Sequence, residues 1–108
     1  MVYAIEEIAA RITPVAKRFN IPAVYLFGSY ARQEATIDSD IDLLVDTAGT
    51  NITSLLKLGA LYCALEEALE KPIDLITVSA LKQKQHMQSN ANFCDFVMRE
   101  KVVLYADI

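Results

Sequence analysis

Residues 28–45 read GSYARQEATIDSDIDLLV, and the way this stretch joins its neighbours decides the fold. Before it runs Ala23-Val24-Tyr25-Leu26-Phe27, five apolar residues that stop at Gly28-Ser29 and suit a buried strand. Within it the pattern is helix-tolerant from Tyr30 to Ala35, polar over Thr36-Ile37-Asp38-Ser39, and apolar again from Ile41 to Val45. A strand therefore meets a tight corner, a short helix leaves it with Ser29 as its expected cap, and a second strand follows.

Working outward, Ile8, Ile12, Val15, Ala16 and Phe19 keep the three-and-four spacing of an amphipathic helix, which Pro14 is expected to kink or restart. Beyond the second strand, residues 46–51 are turn chemistry. Leu55, Leu58, Tyr62, Leu65 and Leu69 then mark a long helix stopped by Lys71-Pro72. Ile73 to Val78 reads as a third strand, and Ser79 as the cap of a helix running to about Met87. The polar stretch 89–92 interrupts, Phe93, Phe96 and Val97 resume helical spacing, and Val102 to Tyr105 suits a last edge strand. The class is α/β (α+β), a small mixed sheet of three or four strands flanked by helices.

The chain has 108 residues, 54% hydrophobic and 22% charged, which suits one domain over 1–108 with no signature of disorder. Its net charge of −4 repels a phosphate backbone, so non-specific nucleic-acid binding is disfavoured. No apolar stretch reaches the roughly 18 residues of a membrane span, and Glu6 and Glu7 stand where a signal peptide carries basic residues. The expectation is a cytoplasmic protein. Cys63 and Cys94 lack metal-site spacing and are expected as buried thiols. Tyr25, Tyr62 and the phenylalanines serve as core or as surface for a partner or a second copy of the chain.

Chemistry concentrates in the acids. Successive strand side chains alternate in face, so Asp40 and Asp42 point together with Cα atoms about 6.5 Å apart, while Ile41 and Leu43 face the other way. Two crowded carboxylates favour a cation, and hard oxygen ligands suit Mg²⁺, which completes its shell with water and substrate phosphate. Gly28 and Ser29 offer the complement: close backbone approach, helix N-terminal N–H groups and a hydroxyl donor for a phosphate. Asp74 lies among aliphatic neighbours, where an ionised side chain is costly unless it has a partner. If its strand lies beside Asp40 and Asp42, the three acids form one site able to hold two metal ions for in-line phosphoryl or nucleotidyl transfer.

Other candidates read as structure. Asp38, Asp40 and Asp42 match the start of a calcium loop, but Leu43 and Gly49 fall where Gly and Glu are needed. A Walker loop fails because no Lys follows the glycine. Asp46, Glu66, Glu67 and Glu70 read as solvated, as does His86 with Lys82 and Lys84.

With these residues in view, the chain resembles the minimal nucleotidyltransferases of the DNA polymerase β superfamily, marked by Gly-Ser, a spacer and Asp-x-Asp. The resemblance spans nearly the whole chain: the leading helix, YLFGSYAR, SDIDLLV, PIDLIT with its single acid, and VVLY. It implies that Gly28 and Ser29 hold the triphosphate of ATP and that Asp40 and Asp42 bind two Mg²⁺. Asp74 would complete the metal site and help activate the acceptor hydroxyl. Arg32 matches the Ala-Arg-Gly position and would reach a phosphate, but Gln33 replaces the glycine. If the backbone there needs positive φ, Gln33 costs on the order of 1 kcal/mol. Many minimal members resemble the antitoxin halves of toxin–antitoxin pairs, in which AMP is added to a tyrosine of a small helical HEPN ribonuclease. The acidic balance of this chain also favours a protein acceptor. The competing readings are a non-catalytic module that occludes its partner and a transferase acting on a small molecule.

Overall fold

The structure, a computed structural model describing residues 2–50, 52, 54–85 and 97–106, alternates helix and strand. The order is α1 (Ile5–Arg18), β1 (Ala23–Phe27), α2 (Gly28–Ala31), β2 (Ile41–Asp46), α3 (Leu55–Leu69), β3 (Ile73–Thr77), α4 (Val78–Gln85) and β4 (Val102–Ala106). Residues 97–100 add a helical turn before β4. The strands form one mixed sheet in the order β3-β2-β1-β4. β1 pairs antiparallel with both β2 and β4, whereas β3 lies parallel to β2 because α3 carries the chain back across the sheet.

Strand alternation divides the apolar residues between two faces. Val24, Leu26, Ile41, Leu43 and Val45 meet Ile8, Ile12, Leu61, Leu65 and Leu69 of α1 and α3 in the main core. Each such side chain, fully buried, contributes about 1.5–3 kcal/mol. Phe27 and Leu44 turn to the opposite face, where a smaller cluster adds Leu81 of α4 and Val97 of the 97–100 turn. Arg11 ties α1 to the end of α3: its guanidinium donates to Glu7 and Glu70 and to the Ala68 carbonyl, and stacks on Tyr3. Among the described residues, no helix is long and apolar enough to cross a membrane.

Several local expectations need correction. Of the two outcomes expected at Pro14, a restart does not occur: α1 is one helix through the proline, with an apolar stripe buried on both sides of it. That packing outweighs the missing N–H. Ser29 does not cap α2; the helix begins at Gly28 with Phe27 in the cap position and no side-chain cap bond. It ends at Ala31 rather than Ala35, because Gln33 takes a left-handed backbone with φ +59°. α4 begins a residue before Ser79, and Thr77 caps it by accepting from the Ala80 N–H at 3.1 Å. Leu55 is 87% exposed and Cys63 is exposed, since the buried stripe of α3 is Leu61, Leu65 and Leu69. His86, Met87, Phe93, Cys94 and Phe96 lie outside the described residues.

Candidate active site

Register brings the acids together. Asp42 and Asp74 are directly paired across the parallel β2–β3 ladder, where neighbouring strands run about 4.8 Å apart. Both stand on the face opposite the main core. Asp40 sits one residue before β2 at the end of a closed turn: the Thr36 N–H donates to Ser39 Oγ at 2.9 Å, and the Ser39 N–H to the Thr36 carbonyl at 3.0 Å. Lys71, three residues before Asp74, donates from Nζ to the Ile37 carbonyl at 3.0 Å and ties this turn to the start of β3. The Ile41 N–H donates to the Pro72 carbonyl at 3.3 Å and makes a second tie.

The glycine corner abuts the same acids. β1–β2 pairing sets Phe27 opposite Asp42, so Gly28 lies against the Asp42 carboxylate. Gly28 has φ +73°, and a Cβ built on it would overlap Asp42 Oδ2. Glycine is therefore required twice, by the backbone and by the space. α2 has only 4 residues, so what it offers an anion is local N–H groups and the Ser29 hydroxyl rather than a long-helix dipole.

Arg32 follows this turn and closes the site's edge. Its Nε donates to Glu34 at 3.1 Å and its Nη1 to Glu100 at 3.3 Å. With Glu100 and the three site residues Gly28, Asp42 and Asp74, it lines a cavity of about 270 Å³ whose apolar wall is Phe27, Ile76 and Val97.

Electrostatics single out Asp42. Its carboxyl is pushed up to about 6, first by burial, then by the charges of Asp74 and Asp40, with Arg32 pulling the other way. A divalent cation would relieve the same repulsion. The donors are carboxylate oxygens alone, the hard set that suits Mg²⁺, an ion that takes one or two carboxylates and fills its shell with water and phosphate oxygens. Among the described residues, no group of three His, Cys, Asp or Glu side chains forms a ready-made metal cage.

The structure thus draws Gly28, Arg32, Asp42 and Asp74 around one cavity; Ser29 follows Gly28 and Asp40 is close enough for its charge to act on Asp42, but neither lines the cavity. Asp46 lies at the far end of β2, where it accepts from the Ala48 N–H at 2.9 Å and takes no part. Sequence reasoning missed Glu100, which reaches the site only because β4 returns beside β1. It also missed Lys71, for which Lys71-Pro72 signalled only the end of a helix.

The sequence profile described as polymerase beta, nucleotidyltransferase matches residues 10–107. The chain is 43% identical over 82 residues to protein adenylyltransferase MntA of Thermococcus cleftensis, covering 72% of this chain and 81% of that protein. A relative from Methanocaldococcus jannaschii is 39% identical over 77 residues, covering 71% of this chain and 81% of its own. Among solved structures, a toxin–antitoxin crystal structure with AMP-PNP aligns with a TM-score of 0.67 at 24% identity, covering 92% of this chain and 73% of that one. A mutant MntA–HpeT toxin–antitoxin aligns with a TM-score of 0.64 at 23% identity and the same coverage. These two structures share the fold.

Proposed function

The chain belongs to the polymerase beta nucleotidyltransferase family and is a nucleotidyltransferase, and from that premise we propose that it moves AMP from ATP to a protein hydroxyl. The acceptor is a tyrosine of a HEPN-type toxin, which makes the protein an antitoxin of the cytoplasm. The observation that carries this reading is the in-register pair Asp42 and Asp74 beside Gly28. The Thermococcus relative's name, protein adenylyltransferase, supports the protein acceptor. Both similar solved structures are of toxin–antitoxin proteins, which supports the antitoxin role.

Asp40, Asp42 and Asp74 would hold two Mg²⁺, and Gly28, Ser29 and Arg32 the triphosphate. When bound, the ions supply charge neutralisation at the attacking and leaving oxygens. The Gly28 backbone lets the α-phosphate lie close to Asp42, and Arg32 draws the β- and γ-phosphates to the edge of the site. The acceptor oxygen forms a bond to the α-phosphorus as the bond to the α–β bridging oxygen breaks, and the electron pair leaves with pyrophosphate. Asp74, exposed to solvent, takes the acceptor's proton and passes it to water.

The test is incubation of ATP labelled at the α-phosphate, with Mg²⁺, in lysate of the native host. Wild type is expected to label one small protein on tyrosine, and the Asp40→Asn, Asp42→Asn double variant to label none. Equal neutralisation of the toxin by both proteins without label would overturn the reading in favour of occlusion. Label on a small molecule alone would overturn the protein acceptor.

A further inference from the structure

Glu100 stands 68 residues from Arg32 in sequence, yet its carboxylate takes the Arg32 Nη1 at 3.3 Å at the mouth of the site cavity. The contact is built, not incidental to a loose loop. Val97, on the same helical turn, is 1% exposed in the cluster with Phe27 and Leu44, which anchors the turn against the sheet face that carries Asp42 and Asp74. Glu34 binds the same guanidinium through Nε from two residues away, a local contact that travels with the turn. Glu100 arrives from the other end of the fold and can separate from Arg32 without unfolding it. A guanidinium offers a phosphate two bidentate forks, Nε–Nη2 and Nη1–Nη2; Glu34 holds Nε of the first and Glu100 holds Nη1 of the second, so a phosphate that binds in a fork competes with one of these carboxylates.

We infer that Glu100 competes with the nucleotide's phosphates for Arg32 and so sets how tightly nucleotide binds, an assignment that rests on reading Arg32 as a phosphate ligand. Glu100 is a positioning residue: it acts only through Arg32.

The experiment is calorimetric titration with α,β-methylene-ATP and Mg²⁺, an analogue whose α–β linkage is not cleaved, on wild type, Glu100→Gln, Arg32→Ala and the double variant. Because the pair is partly exposed, Glu100→Gln is expected to tighten binding roughly two- to fivefold and to move the KM for ATP more than kcat. Arg32→Ala is expected to weaken binding roughly tenfold or more, and adding Glu100→Gln to it to change nothing. Wild-type affinity in Arg32→Ala would overturn the phosphate role of Arg32 itself. Weakened binding in Arg32→Ala with no tightening in Glu100→Gln would overturn the competition alone. Equal tightening with and without Arg32 would assign Glu100 to general repulsion of the nucleotide, and would also overturn it.

Discussion

Replacing Gly28 with Ala separates two penalties that the structure superimposes at one atom. The backbone there has φ +73°, and an L-residue in that region costs about 1 kcal/mol or slightly more. The added methyl would also overlap Asp42 Oδ2 and lie 3.0 Å from Cγ and 3.3 Å from Cβ of the same residue. Rotating the carboxylate away relieves the first contact but not the last, because Cβ is fixed to β2; overpacking of this kind costs about 1–3 kcal/mol. Gly28→Ala should therefore lose about 2–4 kcal/mol in all. In an Asp42→Ala background the carboxylate is gone and only the 3.3 Å contact with Cβ remains, so the same substitution should cost about 1–2 kcal/mol. Asp42→Ala alone should be neutral or stabilising, since it removes a half-buried charge crowded by Asp40 and Asp74. Urea denaturation of the four proteins in chelator at pH 7.5 gives the coupling, expected at about 1–2 kcal/mol. Additivity within about 0.3 kcal/mol would show that Gly28 and Asp42 do not share this space and would refute the geometry on which the site is built.

Gln33 holds φ +59° without being glycine, so Gln33→Gly should stabilise the fold by about 1 kcal/mol in the same denaturation assay, with transfer activity retained. The raised Asp42 pKa means that the folded state binds this proton more tightly than the unfolded state does. Metal-free stability from this group is then full below about 3.8, the unfolded value, and is lost as pH rises through about 6. Thermal melts in chelator should rise on acidification through this window, by no more than about 1 kcal/mol after solvent screening, and Asp42→Asn should remove the trend. Mg²⁺-dependent transfer should move the opposite way, falling below pH 6 as protons compete for Asp42. Thr77→Ala removes the α4 cap bond to the Ala80 N–H and should cost about 1 kcal/mol by urea denaturation.

Much of this was legible in local pattern. The apolar runs at 23–27 and 41–45 and the Lys71-Pro72 stop place β1, β2 and the end of α3 within one or two residues of where the structure has them. The acids were legible because a carboxylate at alternate strand positions has few structural uses. The pairing of Asp42 with Asp74 was conditional on strand order, which depends on the crossover through α3 and on no local signal. Ser29 was misread because cap propensity ignores that Gly28 already starts the turn. Pro14 does not restart α1 because tertiary burial on both sides of it exceeds the local penalty. Cys63 was misplaced because the long apolar run of α3 allows more than one stripe, and packing chose Leu61, Leu65 and Leu69. Glu100 left no trace, since one Glu near an edge strand is ordinary and only the return of β4 beside β1 brings it to Arg32.

The most direct test of the central claim follows the two ends of ATP separately. With α-labelled and γ-labelled ATP in parallel reactions containing the toxin, wild type should place α-label on the toxin and release γ-label only as pyrophosphate, in equal amounts. Asp40→Asn, Asp42→Asn should do neither while melting at or above the wild-type temperature. γ-Label on the toxin, or undiminished α-label with the double variant, would contradict nucleotidyl transfer at these acids.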